Sequence, residues 1–416
     1  MTGLVITLLL FPIAGCISGR RTLSESFLFG VGIVGAALFV GGVVDVPFGV
    51  MLAVVVVAGL VRLARQYSLS RRERGAEGGV RGVFSPKAPT ILMLIPLITL
   101  TVIAAITPLN DFDGRAFWLL KAKALVHDRS IDGPFFQNKE VFSPRNHYPL
   151  LLPLDAAAIM ALAHDTDDHQ VRFLYLGIFA ALAFHLRNRL ARLIDPKIAA
   201  WCAASFVWIP QFAISDAGGA LTAYSDLAIA AFVACAFFEL MEDGSPLIFG
   251  CWLAFLTLTK SEGLPLAIIL AVVGAFTFRR RIAIALAPLA VATISLIAWR
   301  SGIPSTDEEP FLSRLPLLPQ RLDRVLPAIG GVVRHALAVN TWGVFWLAAL
   351  IAIALLVARR EWRPAAVVIG VAGMYVAVYA VSVWILDDLI DSSADRLLMH
   401  MAGPALFAIS ACARNR

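Results

Sequence analysis

The residues able to do chemistry fall in five short polar blocks, each flanked by apolar sequence. They are "NDFDGRAFWLLKAK" (110–123), "RNHYPLLLP" (145–153), "YSDLAIA" (224–230), "LTLTKSEGLPLA" (256–267) and "SSADRLLMH" (392–400). The first holds Asp111 and Asp113, then Phe117 and Trp118, then Lys121 and Lys123. A carboxylate there can serve as a general base toward an attacking hydroxyl. The plainer role for Asp113 is an N-cap that opens an interfacial helix. The second polar block, at the far end of the same loop, favours a reactive acid. If a helix starts at Asp113, Phe117 stacks one turn above it and Lys121 lies one turn from Trp118. Asp226 heads an apolar run, where N-capping explains it about as well as function does. Lys260 and Glu262 interrupt two apolar runs, and charges at membrane depth are costly and tend to be functional. A helical hairpin with a snorkelling lysine is the alternative. Arg396 offers a planar fork suited to a phosphate, or else snorkels at a helix end.

The elements that must hold these blocks are apolar helices. The 416 residues are 59% hydrophobic and 15% charged, with mean hydropathy +0.80. Soluble domains carry about 25% charged residues. Long continuous apolar runs exclude a β-barrel, whose strands alternate. The runs predict about 13 transmembrane helices, near 3–18, 26–44, 47–64, 89–107, 171–186, 198–214, 226–241, 246–259, 264–278, 282–299, 341–358, 364–385 and 398–412. The fold class expected is an all-α polytopic membrane protein, with interfacial helices in the loop 108–147. Three regions follow: N-terminal spans and a basic linker (1–88), a core (89–299), and an external loop with the last spans (300–416).

Basic clusters set the sides. Arg20 and Arg21, the stretch from Arg62 to Lys87, Arg187 to Lys197, Arg279 to Arg281, Arg359 to Arg363, and Arg414 with Arg416 should all be cytoplasmic. They can be if "YPLLLPLDAAAIMALA" (148–163) does not cross. It is short and contains two prolines and an aspartate, so a re-entrant or interfacial piece is expected. The five polar blocks then share the external face. The linker "RRERGAEGGVRG" reads as a solvated loop facing anionic lipid.

Several features are set aside. The net charge of +6 is that of cytoplasmic basic loops, and no basic stripe interleaved with aromatics points to nucleic acid. "GVGIVG" (30–35) spells a dinucleotide fingerprint but lies mid-span, where small residues allow close helix packing. "IAGC" (13–16) resembles a lipoprotein cleavage box, yet the preceding "MTG" lacks positive charge and more spans follow, so a first span is read. The five cysteines are scattered in apolar sequence as small buried hydrophobes. "HDTDDH" (164–169) has metal-ligand residue types but reads as a solvated turn.

Taken together, "DFDGRAFWLLKAKAL", "HYPLLLP", "YSDLAIA", "TKSEG" and "ADRLL" resemble the polytopic lipid-linked-sugar glycosyltransferases of the GT-C superfold. The nearest likeness is to glycosyltransferase 39 and lipid A arabinosyltransferase-like proteins, over about residues 90 to 410. The resemblance implies Asp113 as general base, with Phe117 as the aromatic four residues on. The family's following Glu is Gly114 here, and Asp111 is the candidate for the second charge. The family's Tyr-Pro-Pro block is "YPLL". The resemblance further implies a polyprenyl-phosphate sugar donor, whose lipid phosphate is met by Lys260, Arg396, Arg115 and Lys121. His147, Tyr148, Trp118, Asp226 and Glu262 would line the sugar and acceptor pocket. The acceptor is an unspecified glycan, lipid or protein, and no metal ligand set stands out. The expected location is a bacterial inner membrane, with the site on the external or periplasmic face. The competing class is a non-enzymatic transporter or flippase-like protein for lipid-linked glycans. Such proteins place polar groups at mid-membrane in repeated halves. No internal repeat is visible, and the acids lie beside the spans.

Overall fold

A computed structural model describes residues 1–19, 22–74, 87–109, 111–138, 145–304 and 311–412. Among these residues the structure is helical, without strands. In order the helices are α1 (Thr2–Gly15), α2 (Leu23–Val43), α3 (Phe48–Arg74), α4 (Lys87–Ile106), α5 (Leu120–Asp128), α6 (Pro134–Gln137), α7 (Leu151–Ala163), α8 (Arg172–Leu193), α9 (Pro196–Phe206), α10 (Pro210–Ala213) and α11 (Asp226–Met241). There follow α12 (Pro246–Thr259), α13 (Gly263–Phe278), α14 (Ile282–Gly302), α15 (Phe311–Arg314), α16 (Val325–Ala336), α17 (Val339–Trp342), α18 (Phe345–Ala358), α19 (Trp362–Val381), α20 (Leu386–Met399) and α21 (Ala402–Cys412).

Six helical stretches are long and apolar enough to cross a membrane: Leu23–Val43, Phe48–Gln66, Ala88–Ile106, Asp168–Leu193, Gly263–Gly302 and Trp362–Val381. Shorter apolar helices join them, among them α7, α12, α18 and α21. Six is fewer than the 13 spans expected. Helix also occupies most of the other expected segments, but 341–358 is interrupted at 343–344, 364–385 ends at Val381, and 198–214 is broken. α9 stops at Phe206 and α10 starts at Pro210, because proline disfavours helix in the residue before it. The last span begins later than expected, since α20 ends at Met399 and α21 starts at Ala402. Arg20, Arg21, the linker residues 75–86, Asn110, Arg414 and Arg416 lie outside the described residues.

Burial divides the helices by role. α11 is apolar all round and buried from Asp226 to Leu240, as expected of a helix surrounded by protein. It is packed by α8, α12, α13, α20 and α21. α3, α4 and α14 instead expose large apolar side chains such as Val54, Val57, Ile95, Ile98, Val291 and Ile294. Contiguous apolar surface of that kind belongs against lipid. The glycines of "GVGIVG" are packing residues: a Cβ would collide with Phe11 at Gly30, with Phe255 at Gly32 and with Leu151 at Gly35. α7 is buried along most of its length, against α1, α2, α5 and α12.

Each end of α11 is tied by charge. At its C-terminal end, Arg189 of α8 is buried and reaches Glu25 at 2.7 Å and Glu239 at 2.6 Å, with Glu242 also in contact. This joins the start of α2 to the ends of α8 and α11. The N-terminal end, about 24 Å away at 1.5 Å per residue, belongs to the candidate site.

α20 is held in place from outside by α16. The His335 ring sits between Asp391 at 3.1 Å and Asp395 at 3.0 Å, and Trp342 donates to Asp395 at 2.9 Å. The described residues 311–342 are largely helical and contact α20 through these groups.

Candidate functional site

Asp226 is the hub of the site. It is buried at the first turn of α11, and its carboxylate does not cap the helix. The capping explanation gives way for a geometric reason: the side chain turns away from the helix N–H groups toward two cations and a histidine. Oδ1 accepts from Lys260 Nζ at 2.9 Å and lies 3.2 Å from His400 Nε2. Oδ2 lies 3.8 Å from Arg396. Lys260 is only 5% exposed, so it is a buried partner rather than a snorkelling side chain. The turn between α12 and α13 sets it there, and Glu262 adds a second carboxylate at 3.2 Å. Burial pulls the Lys260 ammonium down, but Asp226 and Glu262 outweigh it and leave the group above the usual lysine range.

Arg396 bridges the hub to the first loop. It occupies the last turn of α20, not the start of the final span, and its NH1 contacts Asp113 Oδ2 at 3.2 Å. The guanidinium also stacks over Tyr224, 5.1 Å from the ring centre. Burial works against its charge, while Asp226 and Asp113 more than restore it. Tyr224 is pushed up to about 12, first by burial and then by Asp113. Gly218, at φ 93°, meets the Arg396 side chain in a left-handed turn that favours glycine.

The loop supplies the opposite wall. Gly114–Leu119 forms a π-helical turn, with the Leu120 N–H donating to the Arg115 carbonyl five residues back. Trp118 is buried beside Tyr148, with ring centres 6.0 Å apart. Lys121 is fully buried, and its Nζ donates to the Arg145 carbonyl at 2.5 Å. That bond holds Arg145 at φ 69°, an uncommon backbone for a residue with a side chain. The Arg145 guanidinium lies over Phe117 at 5.7 Å and Tyr148 at 5.2 Å.

Asp113, Phe117, Trp118, Lys121, Arg145, Tyr148, Asp226, Lys260 and Arg396 line one pocket. It is a narrow slot with a cavity volume of about 10 Å³, room for about one water molecule as the side chains stand. Two carboxylates, Asp113 and Asp226, and four cations, Lys121, Arg145, Lys260 and Arg396, line it, and both carboxylates lie within ion-pair distance of Arg396.

Other sequence candidates stand elsewhere. Arg115 turns away and lies 3.7 Å from Asp168, which also pairs with Lys123 at 2.7 Å. The "HDTDDH" turn therefore anchors the loop, and among the described residues no His, Cys, Asp and Glu group could hold a metal ion. His147 hydrogen-bonds the Ile303 carbonyl at 3.1 Å and does not line the pocket. Glu262 pairs with Lys260 and does not line the pocket. Asp111 sits behind the pocket, accepting from the Ala223 N–H at 3.2 Å, and burial raises its carboxyl above the usual range. Arg145 and His400 were not singled out from sequence. Arg145 lies two residues before His147, and His400 lies one helical turn past Arg396, so both were within reach of a spacing argument.

Gly114 has a physical reason. A Cβ there would fall inside the Asp111 carboxylate. Asp111 thus fills the space that a side chain at 114 would need. Gly114→Ala should cost about 1–3 kcal/mol by overpacking, read as a lowered unfolding midpoint in detergent. Asp111→Ala in the same chain should recover part of that loss. Simple additivity of the two changes would show that the residues do not share this space.

Comparison with known proteins finds no matching family model, no matching curated protein and no matching solved structure.

Proposed function

We propose that this chain is an integral-membrane glycosyltransferase that moves a sugar from a polyprenyl-phosphate donor to an acceptor hydroxyl on the external face, with inversion. The observation that supports this most is the meeting of Asp113, Lys260 and Arg396 at one pocket, from three distant parts of the chain. The acceptor hydroxyl attacks the anomeric carbon, and Asp113 takes its proton. The bond from that carbon to the phosphate oxygen breaks, and the lipid phosphate leaves with the electron pair. Lys260 and Arg396 meet the charge as it develops. Arg396 is paired with Asp113, so a donor phosphate that draws Arg396 to itself also frees the base. Tyr148 and Trp118 offer ring faces to the sugar. Asp226 keeps both cations charged and aimed.

The reading is tested with purified protein in vesicles, given polyprenyl-phosphate pentose and hexose and a crude envelope extract as acceptor. Loss of the intact donor with release of polyprenyl phosphate is expected. Movement of intact donor across the bilayer without cleavage would instead support the transporter, and an unconsumed donor would sink the enzyme.

A further inference from the structure

At the opposite end of α11 lies a second cavity, of about 610 Å³, with no part in the scheme above. Its polar rim is Arg359, Arg360, Glu361 and Arg363, with Trp362 between them. Its inner wall is apolar, including Leu193, Met241 and Phe407. The rim is a built turn. Arg360 sits at φ 62°, and the N–H groups of Arg359, Arg360 and Glu361 all return to carbonyls of the last turn of α18. The backbone that carries these arginines at the mouth of the cavity is thereby fixed. Among the described residues, Arg363 has one ion-pair partner, Asp243, at 3.5 Å and itself 73% exposed. No carboxylate lies within ion-pair distance of Arg359 or Arg360 among the described residues.

We infer that this cavity binds the phosphate group of an anionic lipid, with a chain of the lipid along the apolar wall. The chemistry required is a phosphate mono- or diester, which arginine forks grip well. A free phosphate ion would satisfy the rim but leave the apolar wall without a partner, whereas a phospholipid fills both. Trp362, 44% exposed, has the amphipathic ring that settles at headgroup depth. The side agrees as well. The cavity opens at the end of α11 that Arg189 and Arg192 of α8 reach through Glu242, and the charge of that cluster predicts the cytoplasmic leaflet. That leaflet is the one rich in anionic lipid, and basic pockets between helices there bind such headgroups.

The test uses the full chain, purified in neutral detergent and supplied with phosphatidylglycerol, phosphatidylcholine or inorganic phosphate. Bound lipid is counted by native mass spectrometry. Phosphatidylglycerol should be retained and phosphatidylcholine lost. Arg359→Gln and Arg363→Gln should each lower retention about fivefold. Arg279→Gln, on the same expected face but outside the cavity, should leave it unchanged. Unfolding midpoints without lipid check that the variants fold. Undiminished retention in Arg359→Gln, an equal loss in Arg279→Gln, or displacement by inorganic phosphate at the lipid's concentration would each overturn the assignment. None of these readouts depends on sugar transfer.

Discussion

Asp113→Asn should reduce transfer from a polyprenyl-phosphate sugar by about 10²–10⁴-fold, the usual worth of a positioned general base. The protein should remain folded. Asparagine keeps the shape of the side chain, and the lost contact to Arg396 is partly solvated, with the Asp113 side chain 23% exposed. The donor phosphate has Lys260 and Arg396 to meet it in the variant as in the parent, so donor binding should survive while turnover falls. That split separates a base from a residue that merely shapes the pocket. Unchanged turnover would remove Asp113 from the reaction.

Asp226→Ala should destabilise the protein by about 3–5 kcal/mol, because it breaks a buried ion pair. Lys260, at 5% exposure, would keep only the partly exposed Glu262, and Arg396 only Asp113, while His400 would lose its contact to Asp226. A helix-capping aspartate would cost about 1 kcal/mol when removed. Denaturant or thermal unfolding in detergent distinguishes the two magnitudes. Adding Lys260→Met should return much of the loss, since an apolar pair of similar volume suits a buried site. A loss near the capping value, with no recovery in the double variant, would contradict the hub.

Much of this was legible in sequence because membrane helices announce themselves locally. Apolar run length placed helix over most of the expected segments, residue type picked out Lys260 and Arg396, and the family resemblance ranked Asp113 before Asp111. What run length cannot carry is direction. Asp226 looked like a cap because nothing local says that its carboxylate turns from the helix end toward Lys260, 34 residues on. Arg115 was a candidate phosphate ligand as one of the cations available to the donor that the resemblance implies, yet its partner Asp168 lies in a turn that reads as solvated. Gly114 looked like a loss until Asp111 was seen in its space. Each of these depends on contacts between segments far apart in the chain, where spacing carries no information.

The π-helical turn over Gly114–Leu119 has a consequence for how the first block is to be read. An extra residue in a turn shifts the phase of everything after it relative to everything before it. A single helical wheel drawn through 113–123 therefore superposes two wheels out of step, and its apolar face smears. Phe117 and Trp118 lie within that turn and line the pocket with Asp113. The acid before the turn and the lysines after it therefore belong to two helical frames.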